Sequence, residues 1–459
     1  MLLFAIGATA TKTILFILSL SILVVLHELG HFIPAKLFGT KVHKFYLFFD
    51  FLFPFPNIGN FSLFKKKIGD TEYGIGWFPF GGYVQIAGMA DETQDAETLK
   101  NSEPQPWEFR SKKPWQRLII MIGGVTVNML LAIVIFSGLL WKFGEETLPM
   151  KNVTNGIAIE DSLAFDLGLQ NGDKLLSING KEIASFEGFQ KDMILNSAKT
   201  LTIERAGNKV DLAVKDDFMS KLIKLKKQTI ISPRINTIVG DVSTGSNAQK
   251  AGLQKGDKFV SVNGVPTPFF DELISQLSLY AGTKIKLVVD RKGEPVWLDA
   301  EVTKEGKLGF VADSDYKKYF KTVKIDYNIF SAIPAGTSKA FTTLGNYFKS
   351  IKMLFEPKGP KLKDSVGGFA SMAKMFPDTF DWQSFWILTA TISVILAFMN
   401  ILPIPMLDGG YVVFLIYEMI VGKPLPEKVQ NVLQSIGMIF ILGLLVFANG
   451  MDVIRGFFH

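Results

Sequence analysis

The chain has 459 residues, of which 48% are hydrophobic and 20% charged, with a formal net charge of +6 and no cysteine. This length and apolar content exclude a single soluble domain and predict a multipass membrane protein. The lack of cysteine excludes disulfides and thiolate metal ligands. No basic-aromatic patch accompanies the positive charge, so nucleic acid is not an expected partner.

The first apolar stretch contains the sequence H-E-L-G-H. Between Thr13 and Ala35 the only ionisable side chains are His27, Glu28 and His31, and a segment of this length can cross a bilayer as a helix. Ionisable groups inside a membrane are costly and usually functional. Because residues four apart share a helix face, both imidazoles can bind one zinc ion, with Glu28 on the same side as a general base. An exposed polar pair on a soluble helix is the alternative, and the membrane context disfavours it.

Three further apolar stretches complete a prediction of four transmembrane helices. The predicted spans are residues 1–36, 115–141, 381–418 and 425–455. Basic residues concentrate in residues 37–114, between the first two spans, which predicts that this segment faces the cytoplasm. Both termini and the long region after the second span are then expected on the opposite side of the membrane.

One part of the 37–114 segment is itself free of charge. Residues 73–90 carry no charged side chain but contain five glycines and Pro79. So many helix breakers disfavour a spanning helix. The expectation is a hairpin that re-enters the membrane beside the active site, where protein or a wet cavity satisfies its backbone.

The region between the second and third spans contains an internal repeat. The sequence of residues 167–180 returns at residues 251–264 with nine of fourteen positions identical. Two copies at this spacing predict two small duplicated domains, residues 142–228 and 229–318. Their A-G-L-x-x-G-D pattern, followed by a strand and an Asn-Gly turn, resembles PDZ domains, which bind extended peptides at a sheet edge. Residues 319–380 are expected to form the following helices, including an interfacial helix over 361–376.

A catalytic zinc site needs a third protein ligand. There is no glutamate between Glu28 and Glu72, which disfavours a soluble glutamate-ligand protease. Asp408 is the single charge between Trp382 and Tyr417, and a lone buried carboxylate needs a cation. A helix-end aspartate near the membrane surface is the alternative for Asp408.

H-E-L-G-H in the first span, combined with N-x-x-P-x-P-x-L-D-G-G at residues 400–410, resembles the site-2 protease family of intramembrane zinc metalloproteases. The double PDZ insertion is similar to that of its bacterial members. The resemblance implies that zinc is held by His27, His31 and Asp408 and that Glu28 is the general base or acid. It further implies contacts to the substrate backbone or a nearby helix break at Asn400, Pro403, Pro405, Gly81, Gly82 and Tyr83. Asn128, which follows Gly123 and Gly124 in the second span, also resembles a family position, but small residues and a single amide are common at helix contacts, so packing is the favoured role there.

The implied activity is intramembrane proteolysis of single-span proteins, after an upstream site-1-type protease has shortened them. Implied substrates are an anti-sigma factor or signal peptide remnants, and the PDZ pair would be a size filter or a dock. The implied location is a bacterial inner membrane, with the PDZ domains and both termini periplasmic and the active site near the cytoplasmic face. A membrane-anchored PDZ scaffold with a structural metal site and a metal transporter remain alternatives.

Overall fold

The computed structural model describes residues 7–52, 55, 58–89, 103–225, 229–313, 315–355 and 365–457. Its internal contacts divide the chain into two units. The first unit comprises Met1–Gly144, Asp326–Ile351 and Ser365–His459, and the second comprises Glu145–Ile325 and Lys352–Asp364. Within the segments predicted above, residues 1–6, 53–54, 56–57, 90–102, 226–228, 314 and 356–364 lie outside the described residues.

The secondary structure is numbered along the chain. The helices are α1 (Ala8–Leu37), α2 (Pro114–Phe143), α3 (Ser162–Asp166), α4 (Phe189–Leu195), α5 (Phe218–Lys224), α6 (Asn247–Lys250), α7 (Phe270–Leu279), α8 (Ile329–Leu354), α9 (Phe369–Lys374), α10 (Trp382–Ile401), α11 (Asp408–Val421) and α12 (Glu427–Phe457). The strands are β1 (Val42–Phe49), β2 (Ser62–Ile68), β3 (Thr71–Gly76), β4 (Phe78–Ile86), β5 (Glu145–Thr147), β6 (Ile157–Ile159), β7 (Lys174–Ile178), β8 (Lys181–Glu182), β9 (Thr200–Arg205), β10 (Asn208–Ala213), β11 (Ile231–Pro233), β12 (Val239–Val242), β13 (Lys258–Val262), β14 (Val265–Pro266), β15 (Lys284–Arg291), β16 (Glu294–Glu301), β17 (Phe310–Ala312) and β18 (Val323–Ile325).

Four helices of the described chain are long and apolar enough to cross a membrane, which agrees with the predicted number. They are α1, α2, α10 and the Lys428–Gly456 part of α12. Helices α1 and α2 run in opposite directions and touch through their backbones. At the crossing, a Cβ added to Gly123 would lie 1.9 Å from the carbonyl oxygen of Gly30. Only a pair of glycines permits this approach, because any side chain there would keep the helices apart.

The predicted third span, residues 381–418, is divided by a helix break, as was expected at Pro403 and Pro405. Helix α10 ends at Ile401, residues 402–407 form turns, and α11 begins at Asp408. The break contains Pro403 and Pro405, which lack the N–H that a continuous helix needs and clash with the preceding turn. Met406, also in the break, has a φ of 83°, a strained backbone conformation for a non-glycine residue. The break turns the chain so that Asp408 becomes the first residue of a new helix.

The predicted re-entrant hairpin over 73–90 is wrong in its pairing. Strands β3 and β4 belong to a four-stranded sheet of order β2-β3-β1-β4. Strand β1 lies between them, parallel to β3 and antiparallel to β4. Only Trp77 separates β3 from β4 in sequence, so the chain crosses the end of β1 and both strands pair with β1 instead of with each other. Strand β4 is the terminal strand of this sheet among the described strands.

Two helices from the 319–380 region pack against the long apolar helices of the first unit. Ala340 and Leu344 of α8 join a cluster with Ala132 of α2 and Val394 of α10. The short helix α9 is the helical part of the predicted 361–376 segment that the structure describes. Its start is held by α12, because the backbone N–H of Ser371 donates to the Asp452 carboxylate at 2.8 Å.

The second unit contains two copies of one local structure. Strand orders are β10-β9-β7-β8 in the first copy and β14-β13-β15-β16 in the second. Each copy has a buried aspartate in a two-bond ion pair with an arginine, whose guanidinium also donates to a glycine carbonyl. The groups are Asp173, Arg205 and Gly168 in the first copy, and Asp257, Arg291 and Gly252 in the second.

The predicted end of the first copy at residue 228 is too early. Strand β11 pairs with β6, which places Ile231 opposite Ile159. Ile230, Ile231 and Phe320 belong to the core of the first copy. The core of the second copy is separate and runs from Val239 to Leu308. The predicted boundary was too early because β11 and Phe320, which complete the first copy, lie outside the repeated segment from which the boundary was inferred.

Candidate active site

The two histidines of α1 converge with the first residue of α11. His27 Nε2 lies 3.3 Å from His31 Nε2. Asp408 Oδ2 lies 3.4 Å from His27 Nε2 and 3.3 Å from His31 Nε2. This is the one group of metal-ligating side chains found within the described residues. The structure thus brings together the three residues that the sequence predicted as ligands.

The spacing of these three atoms fits a zinc ion. Tetrahedral ligands about 2.0–2.1 Å from zinc lie about 3.3–3.4 Å from one another, which is the separation found here. Asp408 Oδ2 is buried and has no hydrogen-bond partner among the described residues, and such an oxygen is costly unless a cation is bound. His31 Nδ1 lies 2.8 Å from the carbonyl oxygen of Ile120, so Nδ1 carries the proton and Nε2 is available as a ligand. Three protein ligands leave the fourth position open, as in catalytic sites.

The ligands open onto a cavity of about 250 Å³. Glu28 lies in its wall, where the backbone amide of Val84 in β4 interacts with its carboxylate. The cavity is lined by His27, Glu28, His31, Phe49, Gly82, Tyr83, Val84, Ile86, Met89, Met121, Asn400, Met406, Leu407, Asp408 and Tyr411. A carboxylate, a metal-binding cluster and a strand edge therefore face one space.

The predicted substrate-contact residues divide into two groups. Asn400, Gly82 and Tyr83 line the cavity, and Asn400 Nδ2 lies 3.5 Å from His27 Nε2. Of the described residues, Gly81, Pro403 and Pro405 are not in the lining. The carbonyl of Pro405 instead lies against Gly437 of α12, where a Cβ would come within 2.0 Å of its oxygen.

Tyr83 is held rigidly in the cavity wall. Its hydroxyl donates to Asp50 Oδ1 at 2.8 Å, and its ring stacks on Tyr46 with centroids 5.4 Å apart. Burial, reinforced by the Asp50 carboxylate, raises the pKa of Tyr83 well above the ordinary phenol value. Tyr83 is therefore a neutral side chain with a fixed orientation.

Comparison with known proteins identifies the family. The model of peptidase family M50 matches residues 15–444 of the chain. The chain belongs to peptidase family M50. It is therefore a zinc metalloendopeptidase, and the convergence of His27, His31 and Asp408 on one point agrees with that chemistry.

Curated relatives of this M50 peptidase match nearly its whole length. It is 28% identical to the regulator of sigma-E protease RseP of Escherichia coli, over 94% of this chain and 96% of the relative. It is 27% identical to the regulator of sigma E protease of Haemophilus influenzae, over 96% and 98%. A protein of Neisseria meningitidis named as a candidate zinc metalloprotease is 29% identical, over 96% and 98%.

Helix α2 of this M50 peptidase contributes more to the site than the sequence indicated. A Cβ on Gly124 would lie 2.4 Å from His31 Nε2 and 2.5 Å from His27 Cε1, so this glycine gives the imidazoles their room. The preference for a packing role at Asn128 missed its contact with the site, because its amide nitrogen lies 3.1 Å from His27 Nδ1. The available signal was a lone amide in an apolar span, one helical turn after two glycines, and sequence alone could not pair it with His27.

Proposed function

We propose that this M50 peptidase cleaves single-span membrane proteins inside the bilayer, with His27, His31 and Asp408 as its zinc ligands and Glu28 as its general base. The observation that carries this proposal is the set of 3.3–3.4 Å separations among the three ligand atoms. Its location supports an intramembrane site, because α1 is long and apolar enough to cross a membrane.

The proposed chemistry assigns a role to each group. Zinc supplies Lewis-acid activation of water and of the scissile carbonyl. The Glu28 carboxylate takes a proton from the attacking water and later gives it to the leaving amine. Its contact with the Val84 amide holds this carboxylate beside β4.

The proposed substrate-binding element is the edge of β4. A helical substrate hides its carbonyl groups in hydrogen bonds, so it must become extended before it can be cleaved. Strand β4 is terminal in its described sheet, and Gly82 to Val84 line the cavity. An extended substrate segment added to this edge would run past Glu28, and Asn400 is proposed to donate its amide N–H to the substrate backbone.

The two copies in the second unit are proposed to be PDZ domains that act as a size filter or dock. Their duplicated strand orders support this assignment, and a cleft of about 560 Å³ lies between them. Arg234 lines the cleft and is fixed in place, because its guanidinium donates to Asp271 at 2.6 Å and to Glu272 at 2.8 Å. Phe270 and Ile274, both more than two-fifths exposed, line it and offer apolar contacts.

The proposed physiological role follows the relatives that are named as sigma-E regulators. In this proposal the substrate is an anti-sigma factor or a signal peptide remnant, already shortened by an upstream site-1-type protease. The enzyme would lie in a bacterial inner membrane with the second unit periplasmic and the active site near the cytoplasmic face. The basic residues of the 37–114 segment support this orientation.

The rival roles fit less well. A structural zinc site normally has four protein ligands, whereas the cluster in the described residues has three, beside a cavity. An ion transporter would need ion-binding groups along its spans, and among the described residues only His27, His31 and Asp408 form a group that could hold a metal ion.

The test is cleavage of a shortened single-span substrate by the purified protein in detergent, with the cut located by mass spectrometry. Glu28→Gln should abolish cleavage and keep one zinc per chain, whereas His31→Ala and Asp408→Ala should lose zinc as well. Ser21→Ala is the control on α1, since among the described residues that hydroxyl bonds only within its own helix, to Ile17. Full zinc content in either ligand variant, or cleavage by Glu28→Gln, would contradict the proposal.

A further inference from the structure

Asn128 of α2 is buried beside the metal-binding cluster. Its side chain is fully inaccessible, and its amide nitrogen is placed 3.1 Å from His27 Nδ1. Its backbone is held as well, because Ser393 of α10 donates its hydroxyl to the Asn128 carbonyl at 2.7 Å. A buried amide costs free energy unless it is hydrogen-bonded. Filling space between the helices therefore does not explain an asparagine at this position.

The two ring nitrogens of His27 have different surroundings. Nε2 is the atom that faces His31 Nε2 and Asp408 Oδ2, while Nδ1 faces Asn128. A neutral imidazole has one N–H and one lone pair. If Nε2 offers its lone pair to a metal, Nδ1 must carry the proton and must donate it.

The partner of that N–H must then be the Asn128 oxygen. The oxygen and nitrogen of an asparagine side chain are interchanged by rotating the amide through half a turn. As placed, Asn128 Oδ1 is a buried acceptor without a hydrogen-bond partner among the described residues. After rotation, Oδ1 occupies the position 3.1 Å from Nδ1 and accepts the proton of His27. The rotation exchanges the two amide atoms, so the nitrogen takes the place where Oδ1 stood, and the choice between the two orientations follows from the lone pair that His27 Nε2 must offer to a metal.

His31 shows the same arrangement on the other side of the crossing. Its Nδ1 donates to the carbonyl of Ile120, at 2.8 Å. Both acceptors, a backbone carbonyl and a side-chain oxygen, belong to α2, and both histidines belong to α1. Helix α2 therefore orients both imidazoles.

We propose that Asn128 is a positioning residue of this M50 peptidase. Its side-chain oxygen accepts the Nδ1 proton of His27 and so fixes the ring and the tautomer that present Nε2 to zinc. The inference rests on the proposed ligand role of His27. It is independent of which substrate is cleaved.

The first test measures zinc affinity of the purified full-length protein by competition with a chromophoric chelator, with no activity assay involved. Asn128→Leu removes the acceptor and should weaken zinc binding 10–100-fold. Asn128→Asp keeps an acceptor of the same shape but has no N–H. Its zinc affinity should therefore be no more than threefold weaker than that of wild type. Thr389→Val is the matched control, because it removes a buried bond between α10 and Ser19 of α1 and should leave affinity unchanged.

The outcomes separate this inference from the proposed function. If His31→Ala binds zinc normally, the proposed ligand set fails. If His31→Ala loses zinc while Asn128→Leu keeps wild-type affinity, only the role of Asn128 fails. Affinity of Asn128→Asp as weak as that of Asn128→Leu would show that His27 needs a donor there, and would overturn the assignment.

A spectroscopic test covers the case in which Asn128→Leu does not fold. The chain has only four histidines, so ¹⁵N-histidine labelling of the zinc-loaded protein gives few signals, and His27→Gln assigns those of His27. The expected spectrum has a protonated Nδ1 and an unprotonated Nε2 for His27, and Asn128→Asp should shift the Nδ1 signal. A proton on Nε2, or a Nδ1 signal that Asn128→Asp leaves unchanged, would overturn the proposal.

Discussion

The contact between Gly30 and Gly123 makes a quantitative prediction for the metal-binding cluster. In Gly123→Ala the new Cβ would start 1.9 Å from the Gly30 carbonyl oxygen, and ordinary contact begins at 3.4 Å. Neither atom belongs to a flexible side chain, so α1 and α2 must move apart by about 1.5 Å. Zinc–ligand distances in proteins vary from their standard values by only about 0.2 Å, so a displacement of this size would remove a ligand from the ion.

This separation should disturb the cluster directly. His31 follows Gly30, and its Nδ1 bonds to Ile120 of α2, so moving the helices breaks the contact that orients its ring. We expect Gly123→Ala to weaken zinc binding at least tenfold, comparable with the loss of a group that orients a ligand, and to lower cleavage by at least the same factor. Chelator competition measures the first effect, and cleavage of the shortened single-span substrate measures the second.

Gly138→Ala is the matched control for this prediction. Gly138 lies in the same helix, and an added Cβ would meet no described atom within 4 Å. Alanine is a better helix former than glycine, so helix propensity changes in the same direction in both variants. Zinc affinity of Gly123→Ala equal to that of Gly138→Ala would refute the argument that backbone contact at the crossing builds the site.

Three further predictions concern the strand edge and the second unit. Gly82→Val should lower cleavage at least tenfold without changing zinc content. The reason is that its Cβ would lie 2.6 Å from a side chain of α1 and displace β4. Loss of zinc in this variant would contradict the assignment of substrate binding to β4 and of metal binding to the other residues. Asp257→Asn breaks the buried two-bond pair with Arg291 and should lower the free energy of unfolding of the second unit by about 2 kcal/mol, and an unchanged denaturant midpoint would count against it. The Lys318 ammonium lowers the pKa of the Asp313 carboxyl, so this pair stabilises the fold above the ordinary aspartate pKa and the stabilisation is lost as the pH falls through the lowered value. Lys318→Met should therefore lower the thermal midpoint at pH 7 and match wild type in strong acid, and parallel pH curves for the two proteins would disprove the coupling.

Much of the site was predictable from sequence because its chemistry is unusual for its surroundings. His27, Glu28 and His31 are the only ionisable groups in a long apolar stretch, and Asp408 is the only charge in another. The high cost of isolated charges in a membrane makes such residues conspicuous without any structure. The number of spanning helices followed from the same apolar stretches, because a bilayer fixes the length that a span must have.

Pairings between distant segments could not be predicted in this way. The sequence could not indicate that β1 inserts between β3 and β4, or that β11 completes the first copy. Strands pair through backbone N–H and C=O groups, which are nearly the same in every residue and so do not specify the partner strand. The break after Ile401 has a local cause in Pro403 and Pro405, yet the turn that brings Asp408 to the histidines depends on how α11 packs.

The roles of α2 show the same limit at the level of single residues. Gly123 and Asn128 are ordinary in an apolar helix, where small residues and single amides commonly serve packing. Only the tertiary structure brings Gly123 against Gly30 and the Asn128 amide against His27. The sequence determined which side chains could bind and activate, since ionisation and ligand chemistry belong to the residue itself. The fold decided which neutral groups hold them in place, since orientation depends on contacts between segments that are far apart in the chain.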